Sequence, residues 1–300
     1  MKSIAIFGST GLLGQSVTHA FAHAGYEVKV LVRDAQKARK LFGNSVSIIQ
    51  GDLRDVEAIK NTLAGVEYVY CNLSVEPDSK ETDFQAEREG LHHILELSAQ
   101  YKIKRIGYMS SLVHRHPDMH WWVFEVKKQA IQHIKQSAVN HTIFYPSTFM
   151  ENFDKGGYRN GNTINLAGTS LHKMYVIAGD DYARQVVKAF DIDTGNNEYY
   201  PQGLEGFTSE EIATMFVTHY TKHQLKIARV PLFILQCIGL FSRKINYASN
   251  IIHALNTYPE IFEAEHTWNV LGKPEIKLNE YILKSYLLTE KYTDSLQTEL

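Results

Sequence analysis

Gly8, Gly11 and Gly14 stand three residues apart, directly after the apolar run Ile4-Ala-Ile-Phe7 and directly before a helical pattern. That spacing suits the binding of a phosphate. Gly8 permits a tight turn, Gly11 lets the backbone approach a pyrophosphate with no Cβ in the way, and Gly14 lets the helix pack closely on the strand. The free N–H groups and the positive dipole end of the helix then face the anion, with Thr10, Leu12 and Leu13 completing the turn. A purely structural glycine turn is the alternative. The position of the motif, between a first strand and a helix with a second strand Glu27–Val32 behind, favours a nucleotide.

Arg33 follows nineteen residues after Gly14. An acidic residue there would hold a ribose 2′-hydroxyl, whereas arginine accommodates a 2′-phosphate. Its planar, permanently charged guanidinium suits a phosphate, and Lys37, one helical turn on, adds a second charge. NADP(H) is therefore the expected cofactor. Asp34 keeps NAD(H) possible, and a solvated Arg33–Asp34 pair is the non-functional alternative.

These residues need a scaffold, and the first half of the chain supplies a regular one. Ile4–Phe7, Val28–Val32, Val46–Gln50, Glu67–Cys71, Arg105–Met109 and Thr142–Tyr145 read as strands. Helical patterns separate them at Leu12–Ala24, Ala35–Phe42, Val56–Ala64, Thr82–Tyr101 and Trp121–Ser137. Alternation without tight hairpins predicts an α/β fold with a doubly wound parallel sheet. After Pro146 the pattern loosens, with a short strand near Thr163–Leu166, a helix over Asp180–Phe190 and a capping box at Thr208-Ser-Glu-Glu211. The expected division is a nucleotide domain over 1–155 and a smaller, mostly helical substrate-side region over 156–300, interwoven with it. The polar last dozen residues are expected to fray.

With these elements in this order, the chain resembles the extended and atypical short-chain dehydrogenase/reductases, and within them the NmrA-like group. The likeness is carried by the glycine turn, Gly51-Asp52-Leu53, Ser110-Ser111, Lys127, the run Tyr145-Pro146-Ser-Thr-Phe149-Met-Glu-Asn152, and Leu271-Gly272 near the end. It implies a Rossmann fold and a nicotinamide cofactor. It also implies that Asp52 and Leu53 border the adenine, that Leu73 and Ser74 pass over the cofactor, and that Ser110, Lys127, Tyr145 and Pro146 line the rest of its path.

One part of the reductase pattern is missing. Those enzymes use a serine, a tyrosine and a lysine four residues after the tyrosine. Ser111 and Lys127 match, but Val123 stands four before Lys127 and Phe124 four before Lys128, and neither moves a proton. The proton then falls to Lys127, as the resemblance to isoflavone reductase-like relatives implies, or to a histidine of the loop carrying His114, His116 and His120. For any single one of these the first reading is a solvated loop residue in a chain with 14 histidines. They lack metal-site spacing, and no metal is expected. Trp121, Trp122, Phe149 and Phe153 either wall an apolar pocket for a flat substrate such as a quinone or belong to the core.

Charge narrows the partners. With 31 Lys+Arg against 33 Asp+Glu and no basic block, nucleic acid is not expected. Cys71 and Cys237 read as buried thiols of a reducing compartment. The chain enters its first strand at once, which predicts a cytoplasmic protein without a leader. The apolar run Val230–Phe241 is shorter than the ~20 residues that span a bilayer, and reads as a buried or lid-forming helix with no membrane role. The leading expectation is an NADPH-dependent reductase of a small quinone or carbonyl compound. A non-catalytic NADP(H) sensor acting through a protein partner is the second, and a nucleotide-sugar epimerase-like enzyme, which would need the absent tyrosine, is the third.

Overall fold

In the computed structural model, which describes residues 2–112, 120–192, 194–221 and 223–284, the first strand β1 (Ser3–Phe7) is buried at every position. Burial on both faces is what the centre of a parallel sheet requires. Next come β2 (Glu27–Val32), β3 (Ser47–Gln50), β4 (Tyr68–Cys71), β5 (Arg105–Met109) and β6 (His141–Phe144). β7 (Arg159–Asn160) and β8 (Thr163–Ala167) form part of a smaller sheet, and β9 (Asn197–Tyr199) rejoins the first. The large sheet has seven strands in the order β3-β2-β1-β4-β5-β6-β9. Every pairing in it is parallel.

The helices α1 (Leu12–His23), α2 (Ala35–Phe42), α3 (Val56–Leu63), α4 (Leu91–Gln100) and α5 (Trp122–Gln136) are the crossovers between consecutive strands. The strand order runs outward from β1 to β3 and then resumes at β4. Such a reversal opens a crevice at the carboxyl ends of β1 and β4, where ligands of these sheets bind. Phe7, Leu63, Ile94, Ile106, Ile134 and Ile143 pack into one core beside the sheet. Each such side chain contributes about 1.5–3 kcal/mol by burial.

The chain divides into two compact units, one of residues 1–146 with 182–201 and 264–272, the other of 147–181 with 202–263 and the residues from 273 onward. The first holds the seven-stranded sheet. In the second, β8 pairs antiparallel with β7 and parallel with β10 (Lys226–Val230). Phe153, Ile164, Leu166, Ile212 and Phe216 fill its core. The capping box forms as expected, with Thr208 Oγ1 accepting from Glu211 N at 3.2 Å and Thr208 N donating to Glu211 Oε2 at 2.8 Å.

Three local expectations are corrected. The helix expected from Thr82 begins at a π-helical turn, Ala86–Gly90, because the Gln85 carbonyl accepts from the backbone of Arg88, Glu89 and Gly90 together. β9 and β10 were not expected. Each is short, and each pairs with a strand far back in the chain, so no local pattern announces it. Cys237 is exposed, unlike the buried Cys71. The residues expected to fray lie outside those described.

Candidate functional site

The glycine turn leaves β1 at its carboxyl end and delivers the chain to α1. Gly8 has φ +83°, and a Cβ on it would lie 2.0 Å from the Asn72 carbonyl oxygen; one on Gly14 would lie 2.1 Å from that of Gly8. Both glycines are therefore fixed by the fold itself. Gly11 differs: a Cβ there meets only Gly8 O, at 3.4 Å, and otherwise points into open space. Gly11 is also the N-cap of α1 and offers no side-chain acceptor to the first N–H groups. Ser9 Oγ in the turn and Ser110 Oγ after β5 are buried with no partner among the described residues. An open cradle with uncapped donors and two waiting hydroxyls fits a dinucleotide.

At the neighbouring strand ends a cleft of about 580 Å³ is lined by Arg33, Gln50, Gly51, Asp52, Arg54 and Asp55. Asp34 does not pair with Arg33. Its carboxylate caps α2 by accepting from Lys37 N at 2.9 Å, and Arg33 reaches Glu76 at 3.0 Å in an exposed pair. Arg54, which the sequence reading passed over, binds Asp52 Oδ2 at 2.9 Å and lies 4.7 Å from the Phe84 ring centroid. Asp55 caps α3 through Glu57 N and Ala58 N. Both carboxylates of the cleft are thus engaged by the protein, and two guanidinium groups border it.

Behind the sheet's carboxyl edge, Lys127 is held by a residue that the sequence did not single out. Glu87, fully buried on the π-helical turn, accepts through Oε1 from Lys127 Nζ at 2.6 Å and from the Tyr108 hydroxyl at 2.7 Å. Its Oε2 is buried without a hydrogen-bond partner among the described residues. Burial, with Glu87 next to it, drives the Tyr108 hydroxyl well above its ordinary pKa, so it serves as a fixed donor. A buried carboxylate anchoring a partly buried ammonium sets the direction of that cation. π-helical turns recur at functional sites, and Glu87 lies on one that runs directly into α4.

Residues 1–287 match the model of the NmrA-like family. The chain belongs to that family. Among its relatives, the photosystem II assembly factor Ycf39 of Cyanophora paradoxa is 23% identical over 297 residues, 97% of this chain and 90% of that protein. The NAD(P)H azoreductase of Xenophilus azovorans is 26% identical over 218 residues, 70% of this chain and 71% of its own. Among solved structures, an NADPH-dependent quinone oxidoreductase of Escherichia coli, complexed with NADPH, superposes with a TM-score of 0.70 at 18% identity, covering 94% of this chain and 99% of that one. No helix among the described residues is long and apolar enough to cross a membrane.

The other residues singled out in this NmrA-like chain fall into three places. Thr10, Leu12, Leu13, Leu53, Leu73, Ser74 and Ser111 lie at or near the strand ends around the cradle, with Leu73 buried and Ser74 exposed. Lys37 is exposed on α2. Tyr145, after β6, is buried; its hydroxyl donates to Glu198 at 3.0 Å and its ring stacks on Tyr200, and Pro146 follows it, also buried. His120 is exposed just before α5, whereas His114 and His116 lie outside the described residues. Trp121 caps α5 and packs edge-on against Phe124 at 5.0 Å, and half-buried Trp122 follows. Val123 is buried. Phe149 and Phe153 belong to the second unit. Phe153 is a core residue, with one ring face stacked on Tyr158 at 4.2 Å, and so is not free to form the face of a pocket.

Proposed function

We propose that the chain is an NADPH-dependent reductase acting on a small planar acceptor of the quinone type. The observation that carries this reading is the open cradle at Gly11 on the same sheet edge that directs Lys127 through Glu87, with apolar Val123 where a proton-donating tyrosine would stand. The backbone of Gly11, Leu12 and Leu13 would hold the pyrophosphate, and Arg33, with Arg54 across the cleft, the 2′-phosphate. The Lys127 ammonium would bind a ribose hydroxyl and bias the proton there. When bound, the nicotinamide supplies a hydride. Val123 supplies no proton, so the favoured acceptors are those whose reduced form is protonated readily by water. The activities named for the quinone oxidoreductase and the azoreductase are of this kind.

A second reading, an NADP(H) sensor, is favoured by the Ycf39 match, which spans almost the whole chain and whose name is that of an assembly factor. One experiment separates the two. NADPH oxidation is followed with quinones, aldehydes and ketones, on the parent and on Lys127→Ala. The reductase reading expects quinone turnover that Lys127→Ala impairs together with nucleotide binding. Robust ketone reduction that survives the change overturns it, and tight NADPH binding without any turnover selects the sensor.

A further inference from the structure

Arg54 is held more firmly than its place on the surface requires. Asp52 grips it twice, Oδ1 accepting from Arg54 N at 2.6 Å and Oδ2 from the guanidinium at 2.9 Å. The guanidinium carbon lies over the half-buried Phe84 ring, 4.7 Å from its centroid, so that the ring covers one guanidinium face. Leu53, between Asp52 and Arg54, is pinned from behind. His93 Nδ1 donates to its carbonyl at 3.1 Å, and a Cβ on Gly90 would come within 2.8 Å of its side chain. The Arg54 side chain is nevertheless 62% exposed. Exposed ion pairs and exposed cation–π contacts stabilise a fold little, so this ordering serves better as preorganisation for a ligand.

Topology identifies the part of the ligand that arrives there. The open cradle at Gly11 follows β1, Arg33 follows β2, and Asp52-Leu53-Arg54 lie just past β3. In the sheet, β2 stands between β1 and β3. A dinucleotide with its pyrophosphate on the cradle and its adenosine ribose at Arg33 therefore carries its base onward to the end of β3, into the cleft that Arg33 and Arg54 both line.

A guanidinium offers N–H donors at its edge and two flat π-faces. Part of the Arg54 edge is spent on Asp52 and one face on Phe84. The second face is left for the cleft, and purine rings stack well on arginine planes.

We propose that this second face of Arg54 is the platform for the adenine ring, with the guanidinium lying between adenine and Phe84. Arg54 thereby selects an adenine-bearing cofactor whether or not a 2′-phosphate is present. The inference rests on the dinucleotide-binding part of the proposed function and not on the reaction.

The test is calorimetric titration of the parent and of Arg54→Lys with NADH, ADP and reduced nicotinamide mononucleotide, which has no adenine. Lysine keeps the charge and loses the plane. Arg54→Lys should weaken NADH and ADP alike, by about five- to tenfold, and leave the mononucleotide unchanged. Phe84→Leu, which removes the backing ring, should cause a smaller loss with the same two ligands. Thermal unfolding establishes that both variants are folded. The proposal is overturned if Arg54→Lys binds NADH and ADP as the parent does, or if its loss appears with NADPH alone, which would confine Arg54 to the phosphate. It is equally overturned if the mononucleotide weakens to the same degree, which would make the effect one of the fold, or if the parent binds no nucleotide. The expected losses in a protein that binds NADPH but turns over no acceptor would uphold the platform and refute the reductase.

Discussion

Arg33 and Glu76 meet at 3.0 Å with most of both side chains in water. An exposed pair of this kind contributes about 0–1 kcal/mol, so a doubly charged phosphate can draw the guanidinium away at little cost. Arg33→Ala should therefore abolish most of a preference for NADPH over NADH, a loss of about 1–3 kcal/mol. Glu76→Gln should act oppositely, tightening NADPH and leaving NADH unchanged. Calorimetric titration with both nucleotides checks the two together, and equal affinities in the parent would refute them. Glu87 poses a different problem. Its Oε1 carries both Lys127 and Tyr108, so Glu87→Ala strands two donors in a desolvated place. Breaking such a pair costs about 3–5 kcal/mol, whereas Tyr108→Phe removes one neutral donor for about 1 kcal/mol. Urea unfolding of the two variants should separate by that difference, and equal losses would mean that Glu87 does not hold Lys127. Arg33 was legible in the sequence because the motif fixes its distance from the glycine turn. Glu87 was not, because its role arises from a lysine forty positions later in the chain.

The glycine turn separates, within one element, what the fold needs from what the ligand needs. At Gly8 and Gly14 an added Cβ meets backbone atoms at 2.0 and 2.1 Å, which no side-chain movement relieves. At Gly11 the space is open apart from one contact at 3.4 Å. Gly11→Val should therefore fold with near-parental thermal stability and lose nucleotide binding, whereas Gly14→Val should fail to fold stably. Thermal unfolding and NADPH titration of both variants give the answer, and a Gly11→Val protein that binds normally would place the phosphate elsewhere. The strands and crossover helices of the first unit were legible because each carries its own signal: runs rich in Val, Ile and Tyr for the strands and helical spacing between them. The π-helical turn was not, since three backbone donors converging on Gln85 leave no mark in residue type.

At the scale of the whole chain, alternation of strand and helix revealed the seven-stranded sheet apart from its last strand, but not the return of residues 182–201 and 264–272 to the first unit. That return depends on pairing and packing across long separations, which local pattern does not encode. The second unit, where the sequence was least informative, carries a buried acid with a measurable consequence. Glu151 opens α6 (Glu151–Asp154), accepts from Gly179 N at 2.9 Å through Oε1, and has its Oε2 buried without a hydrogen-bond partner among the described residues. Burial, reinforced by Asp180 and opposed by the Gly179 hydrogen bond and Lys155, pushes its carboxyl from 4.5 up to about 7. The folded chain then holds this proton more tightly than the unfolded chain, so the contribution is fully present below pH 4.5 and lost as pH rises through about 7. The full swing is at most about 3 kcal/mol. Glu151→Gln keeps an acceptor for Gly179 and removes the titration. Urea midpoints measured at about pH 5 and about pH 8 should show the parent losing stability relative to Glu151→Gln as pH rises. Comparing the two proteins cancels the carboxylates and histidines they share, so parallel pH profiles would show that Glu151 is already ionised in the folded chain at the lower pH.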